Sequence, residues 1–227
     1  MARKKIVFVI VEGPTDNDAL GLVFEHFFKD KEVYVHIVHG DITTRTGINN
    51  ANILKAVVEE IKGYASNMHL TSKDFQEIIH IVDMDGAFVD NTKVVEDITK
   101  EEVYYSETEI RTKDKLGIEN RNMQKRENLN KMTAKNKIWN IPYSVYYMSC
   151  NLDHVLYNKL NSTDEEKEQD AFDFAKRFEE DLQGFLKFIS TSDFSVQGTY
   201  VDTWQFIKEE THSLKRHTNL GLCFSPK

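Results

Sequence analysis

Apolar and polar positions along the first third of the chain alternate in a strand, helix, strand rhythm. Lys4 and Lys5 lead into an unbroken apolar run, Ile6-Val7-Phe8-Val9-Ile10-Val11, which ends at Glu12-Gly13. A run of this kind predicts a buried strand at about 5–11. Gly13-Pro14-Thr15 then opens a helix at about 15–29, whose apolar side is Leu20, Leu22, Val23, Phe27 and Phe28. Val33–Val38 reads as a second strand. A polar loop containing Gly40 and Gly47 follows, and then Ile53, Val57, Val58 and Ile61 set a helical period from about 50 to 65. The run Ile78-Ile79-His80-Ile81-Val82 predicts a third buried strand, ending at Asp83.

Such alternation predicts an α/β fold, a mainly parallel sheet flanked by right-handed crossover helices. From about 90 to 137 apolar residues thin out and charge dominates, which predicts an insertion, partly helical or mobile. Order returns with a fourth strand, Ile141–Met148, then Ser149-Cys150-Asn151-Leu152-Asp153-His154 and a helix through Tyr157. A further helix is expected from Thr163-Asp164, because a threonine cap followed by acidic residues suits a positive helix terminus. Its buried side is read as Phe172, Phe178, Leu182, Phe185 and Phe188. The organisation expected is an α/β domain over 1–160 carrying the charged insertion, with a helical extension over 161–227 packed on it.

The chain has 227 residues, enough for a substantial core without disulfides, and a formal net charge of −8. That balance argues against coating nucleic acid through overall positive charge. Charge is unevenly spread, however. Residues 111–137 are rich in Lys and Arg, and within them Lys125, Arg126 and Lys131 are candidates to hold a polyanion. Cys150 and Cys223 lack metal-finger spacing and read as reduced thiols. No apolar stretch reaches the roughly 18–20 residues of a membrane span, and the N-terminal run is too short for a signal peptide. A cytoplasmic protein without a membrane partner is expected.

The chemistry concentrates at two strand ends, Val11-Glu12-Gly13-Pro14-Thr15-Asp16 and Asp83-Met84-Asp85-Gly86. If these strands are parallel neighbours, Glu12, Asp83 and Asp85 meet at the carboxyl edge, where open α/β sheets bind ligands. Asp83 and Asp85, two apart in extended backbone, would project to one side. Carboxylates gathered there repel unless a cation neutralises them, which points to Mg²⁺ or Mn²⁺ and to a phosphate ester as substrate. Each residue also has a plainer reading: Glu12 and Asp16 as helix-start charges, Asp-Met-Asp-Gly as a turn.

These two motifs resemble the TOPRIM domain of topoisomerases, primases and several nucleases, which carries a glutamate after its first strand and an Asp-x-Asp after a later one. Ser149-Cys150-Asn151-Leu152-Asp153 is similar to the post-strand motif of the OLD-type and RloB-like branches, with aspartate where those branches often have glutamate. The resemblance implies a Rossmann-like TOPRIM fold and a metal-dependent nuclease of DNA or RNA, in bacterial defence or nucleic-acid processing, with room for a partner ATPase. It further implies metal ligation by Glu12, Asp83 and Asp85, a second cation near Asp16 and Asp153, and proton relay by Glu12. Lys215, in Thr211-His212-Ser213-Leu214-Lys215, stands where OLD-type nucleases place a late lysine for transition-state charge; solvated surface charge is its alternative. Asp83-Met84-Asp85-Gly86-Ala87 also resembles the nucleophile motif of haloacid-dehalogenase phosphatases. That reading has Ala87 in place of the usual threonine and leaves Glu12-Gly13 without a task. A third reading is a nucleic-acid-binding or regulatory module that keeps the fold without catalysis.

Overall fold

The computed structural model describes residues 4–225. The central sheet runs in the order β2 (Glu32–Ile37), β1 (Ile6–Val11), β3 (Phe75–Asp83), β8 (Ile141–Ser149), and these four strands are parallel. Two short strands pair antiparallel with β8: β7 (Lys137–Ile138) at its start and β9 (His217–Thr218) at its end. Because β1 has β2 on one side and β3 on the other, chain order reverses between β1 and β3. In doubly wound sheets a crevice opens at that switch point, outside the carboxyl ends of the strands. This is a Rossmann-like α/β architecture.

Alternate side chains of the buried strands feed two cores. Ile6, Phe8, Ile10, Ile78 and Val82 face α2 (Ile53–Asn67), α3 (Lys115–Thr133) and α7 (Tyr200–Phe206), meeting Val57, Ile61, Leu129, Met132 and Trp204. Val7, Val9, Val11, Ile79 and Ile81 face α1 (Pro14–Phe27), α5 (Asp164–Phe178) and α6 (Leu182–Thr191), meeting Leu20, Phe24, Phe174, Phe178 and Phe185. Both faces are covered, which is why the strands read as unbroken apolar runs rather than alternating ones. The C-terminal part thus supplies helices to both faces and also a strand: β9 joins the sheet, and Asn219 Oδ1 accepts the Tyr147 N–H at 2.9 Å.

Thr163 caps α5 as expected, accepting the Glu166 N–H at 3.2 Å. The single long helix expected after it is two. Asp181 caps a separate α6 by accepting the Gly184 N–H at 2.8 Å. Phe172, expected inside, is 62% exposed, and Phe174 takes its place in the core. At about 100° per residue, six residues set Phe172 about 120° round the helix from Phe178, off the buried face, whereas Phe174 lies one turn from it.

The charged segment is ordered. A small sheet of β4 (Val94–Glu96), β5 (Tyr104–Tyr105) and β6 (Ile110–Thr112) encloses its own core of Val89, Val94, Ile110 and Ile118, with Cys150 and Leu214. The nineteen-residue α3 follows, capped by Asp114. Its buried stripe, Ile118, Asn122, Lys125, Leu129 and Met132, keeps helical spacing but mixes polar with apolar residues. Composition alone could not mark that stripe as a core face.

Candidate acidic centre at the carboxyl edge of the sheet

β1 ends at Val11, and Pro14 starts α1 two residues after Glu12 with its ring in the first turn, where no N–H is needed. Asp16 Oδ2 accepts the N–H groups of Glu12 and Gly13 at 3.1 and 3.0 Å. One oxygen of Asp16 therefore does the helix-start work, and the residue also lines the cavity above the sheet edge. Across the switch point Glu12 Oε1 accepts the Asp83 N–H at 3.2 Å, while Asp83 Oδ1 accepts the Leu152 N–H at 2.9 Å from the first turn of α4 (Leu152–Tyr157). Glu12, Asp16, Asp83 and Asp153 line one cavity of about 290 Å³, together with His39, Gly40 and Lys167.

Burial and mutual repulsion outweigh the positive charge near these carboxylates. Burial, then Asp41, push Glu12 well above the ordinary carboxylate range, with Asp85 and Asp16 adding to the rise and Lys125 opposing it. Asp83 is raised by burial and then by Glu12, Asp16 and Asp85. Asp16 is pushed up to about 6 by burial, against the N–H bonds it accepts and with Asp153 adding repulsion. Asp153 is raised chiefly by burial, with Lys167 working the other way.

Asp85 departs from expectation. β3 stops at Asp83, and Asp85 and Gly86 both take positive φ, 47° and 66°. The two aspartates therefore sit in strand and turn rather than on alternate positions of one extended segment. Met84 and Asp85 donate their N–H groups to the Cys150 carbonyl at 2.9 and 2.8 Å, which fixes the turn. The Asp85 carboxylate meets Lys125 Nζ at 2.5 Å. Glu12 and Asp83 are thus brought together, and Asp85 is held by an ammonium beside them.

Lys125, expected to face a polyanion, is instead wholly buried and ion-paired, with Asp41 Oδ2 at 2.8 Å as its second partner. The helical stripe of α3 carries it inward, so its contact with a nucleic acid is corrected. Burial works against its charge, but Asp41, Asp85 and Glu12 outweigh it and hold the ammonium firmly protonated. Asp41 also accepts from Thr43 N at 2.7 Å and from the Thr43 hydroxyl at 2.5 Å. Burial alone would raise Asp41, yet Lys125 and these bonds keep it below its usual range. Asp41 was missed in the sequence although its signal was there: Val38-His39-Gly40-Asp41 follows the end of β2 as Glu12 follows that of β1.

Arg126 is half-buried at the flank of the buried stripe of α3, and Lys131 is exposed on the side away from it. Lys215 lines a different cavity of about 330 Å³ with Glu107, Asp193, Arg216 and His217, and is absent from the lining of the acidic one. His80 is a core residue, bonded to the Tyr143 hydroxyl at 2.9 Å and pushed down to about 4 by burial. Cys150 and Cys223 are free, buried thiols.

Among the described residues no three Asp, Glu, His or Cys side chains stand in the convergent arrangement of a metal centre. In chemistry, though, the donors suit a hard divalent cation: they are half-buried carboxylate oxygens, raised in proton affinity by desolvation and then by neighbouring carboxylates. Among the described residues no helix is long and apolar enough to cross a membrane. Comparison with known proteins gave no match: no family model, no curated protein and no solved structure matches the chain.

Proposed function

We propose that the protein is a TOPRIM-like, Mg²⁺- or Mn²⁺-dependent nuclease that hydrolyses phosphodiesters of DNA or RNA, of the kind used in bacterial defence or nucleic-acid processing. The observation that carries this reading is the Glu12–Asp83 pair. Two half-buried carboxylates at the ends of adjacent parallel strands, linked by the 3.2 Å bond from Asp83 N to Glu12 Oε1, stand at the switch point of the sheet with raised proton affinity. Glu12 and Asp83 would hold the cation, with Asp16 and Asp153 on the same cavity wall for a second. When bound, the metal would activate water and stabilise charge on the phosphoryl oxygens. Glu12, whose proton affinity is tuned by burial, would carry the proton taken from that water. Asp83 is oriented for its task by the Leu152 N–H, and Lys167 offers a cation at the cavity wall toward a phosphate.

Purified protein should cleave DNA or RNA only with Mg²⁺ or Mn²⁺, and Glu12→Gln should abolish cleavage while leaving nucleic-acid binding. Release of phosphate from small phosphomonoesters, lost in Asp83→Asn, would identify a haloacid-dehalogenase-like phosphatase instead. The Asp85–Lys125 pair favours one second reading, a nucleic-acid-binding module without catalysis, because it neutralises internally a carboxylate that catalysis would assign to metal. Nucleic-acid binding with neither activity would select it.

A further inference from the structure

The acidic centre contains a cation of its own. Lys125 Nζ bridges Asp41 Oδ2 at 2.8 Å and Asp85 Oδ2 at 2.5 Å, and no part of its side chain reaches solvent. Asp41 comes from the loop after β2 and Asp85 from the turn after β3, so the ammonium ties together the two loops that flank the Glu12 strand end. A divalent ion bridging the same two carboxylates would have to occupy the same place.

The helix rather than the side chain alone fixes that place. One turn before Lys125, Arg121 donates to the Asp85 carbonyl at 2.8 Å and to the Tyr105 hydroxyl at 2.6 Å. Next to it, Gln124 donates to the Ile48 carbonyl at 2.9 Å, and Asn128 donates to the Thr43 carbonyl at 2.7 Å. Helix α3 is therefore bonded to the turn carrying Asp85 and to the loop carrying Asp41, with Lys125 between the two attachments. Leu129 and Met132 anchor its far end in the core beneath the sheet. Withdrawing the ammonium would mean moving the helix.

We propose that Lys125 is a resident cation of the acidic centre, holding the Asp41–Asp85 position against divalent metal so that exchangeable Mg²⁺ or Mn²⁺ is confined to the Glu12–Asp83 side. Asp85 is then the counter-ion of Lys125 rather than a metal ligand, and the inserted segment supplies the charge balance of the centre. The confinement of metal rests on the proposed function; the resident role of Lys125 does not.

The test counts bound Mn²⁺ on the full chain by electron paramagnetic resonance. Lys125→Met should bind one Mn²⁺ more than the unaltered protein, and adding Asp41→Asn should remove the gained ion. Equal stoichiometry in the unaltered protein and a Lys125→Met variant that is folded by circular dichroism would overturn the assignment. Removing Lys125 leaves two carboxylates facing each other unpaired, so a second measurement uses the unaltered chain. Reductive methylation mapped by mass spectrometry should spare Lys125 with and without millimolar Mg²⁺ while modifying exposed Lys131 in both. Methylation of Lys125 once Mg²⁺ is added would show that the ion displaces the ammonium, and would overturn the proposal. Failure of the unaltered chain to bind any Mn²⁺ would end the metal-nuclease reading instead, and the ion gained by Lys125→Met would still decide the role of Lys125.

Discussion

Glu12 closes the end of the neighbouring strand: its Oε1 accepts the backbone N–H of Asp83 at 3.2 Å. The bond ties together two half-buried residues whose carboxylates are each raised well above the ordinary range, first by desolvation and then by neighbouring carboxylates. In Asp83→Asn the amide oxygen can still accept the Leu152 N–H, while the repulsion with Glu12 disappears. At neutral pH in EDTA this variant should melt a few degrees above the unaltered chain, since about 1 kcal/mol moves Tm by roughly 2–4 °C at this size. The rise in Tm produced by Mg²⁺ should be lost with it. Thermal unfolding with EDTA and with Mg²⁺ checks both, and an equal Mg²⁺ shift in the two proteins would remove Asp83 from the metal site.

The pH dependence has opposing parts, and their signs can be worked out. Asp16 is raised to about 6, so between its unfolded value near 4 and about 6 the folded chain binds more protons than the unfolded one. Stability from this group is present at low pH and lost as pH rises through that window, with a slope of at most about 1.4 kcal/mol per pH unit. His80, His154 and His217, each pushed down to about 4 chiefly by burial, act oppositely: the folded chain binds fewer protons up to their unfolded value near 6.5, and stability rises with pH. The difference between the unaltered chain and Asp16→Asn isolates the aspartate, because asparagine retains the oxygen that accepts from Glu12 and Gly13. Urea unfolding in EDTA should show the variant gaining on the unaltered chain as pH rises from about 4 to about 6, and a constant difference would refute the assignment.

The sheet was legible because burial on both faces leaves unbroken apolar runs, and the ends of those runs located Glu12 and Asp83. Alternation of strands and helices made the strands parallel, but that β1 and β3 are neighbours was only a condition of the reading, met by the strand order of the fold. Asp85 was misplaced because two-residue spacing implies a common direction only in extended backbone, and the chain leaves the strand at Asp83. Lys125 was misread for a related reason. In a segment dense with Lys and Arg, composition says nothing about which cation a helix turns inward; the spacing of Lys125 from Ile118, Leu129 and Met132 does. Asp41 escaped because a single aspartate after glycine looks like a loop, and its meaning comes from the lysine 84 positions later that it meets in the fold.

Gly86 is where the turn tolerates no side chain. Its φ is +66°, and a Cβ there would stand 2.5 Å from Leu214 Cδ2 and 2.9 Å from Ile110 Cδ1. Left-handed backbone costs an L-residue roughly 1–2 kcal/mol, and overpacking adds about 1–3. Gly86→Ala should therefore destabilise by about 2–5 kcal/mol in urea unfolding. Adding Leu214→Ala, which clears the nearest atom, should cost less than the sum of the two single changes. Strict additivity would place the strain elsewhere.

The basic segment can now be divided by where its side chains stand. Lys131 is exposed on the side away from the buried stripe and Arg126 is half-buried at its flank near Asp90, whereas Lys125 is committed to Asp41 and Asp85. A phosphate contact adds about 0.9 to the slope of log affinity against log salt on duplex DNA, or about 0.7 on single strands. If both residues touch the backbone, Arg126→Gln with Lys131→Gln should flatten that slope by about 1.4 to 1.8 and leave the urea midpoint unchanged. Lys125→Gln should do the reverse. It leaves two half-buried carboxylates without their partner, a loss of at most about 3–5 kcal/mol, the figure for fully buried pairs, and it removes no phosphate contact from the folded chain. Filter binding across a salt series, alongside urea unfolding of each variant, separates the two effects. An unchanged slope in the Arg126, Lys131 double variant would assign the outer side of α3 to a protein contact rather than to nucleic acid.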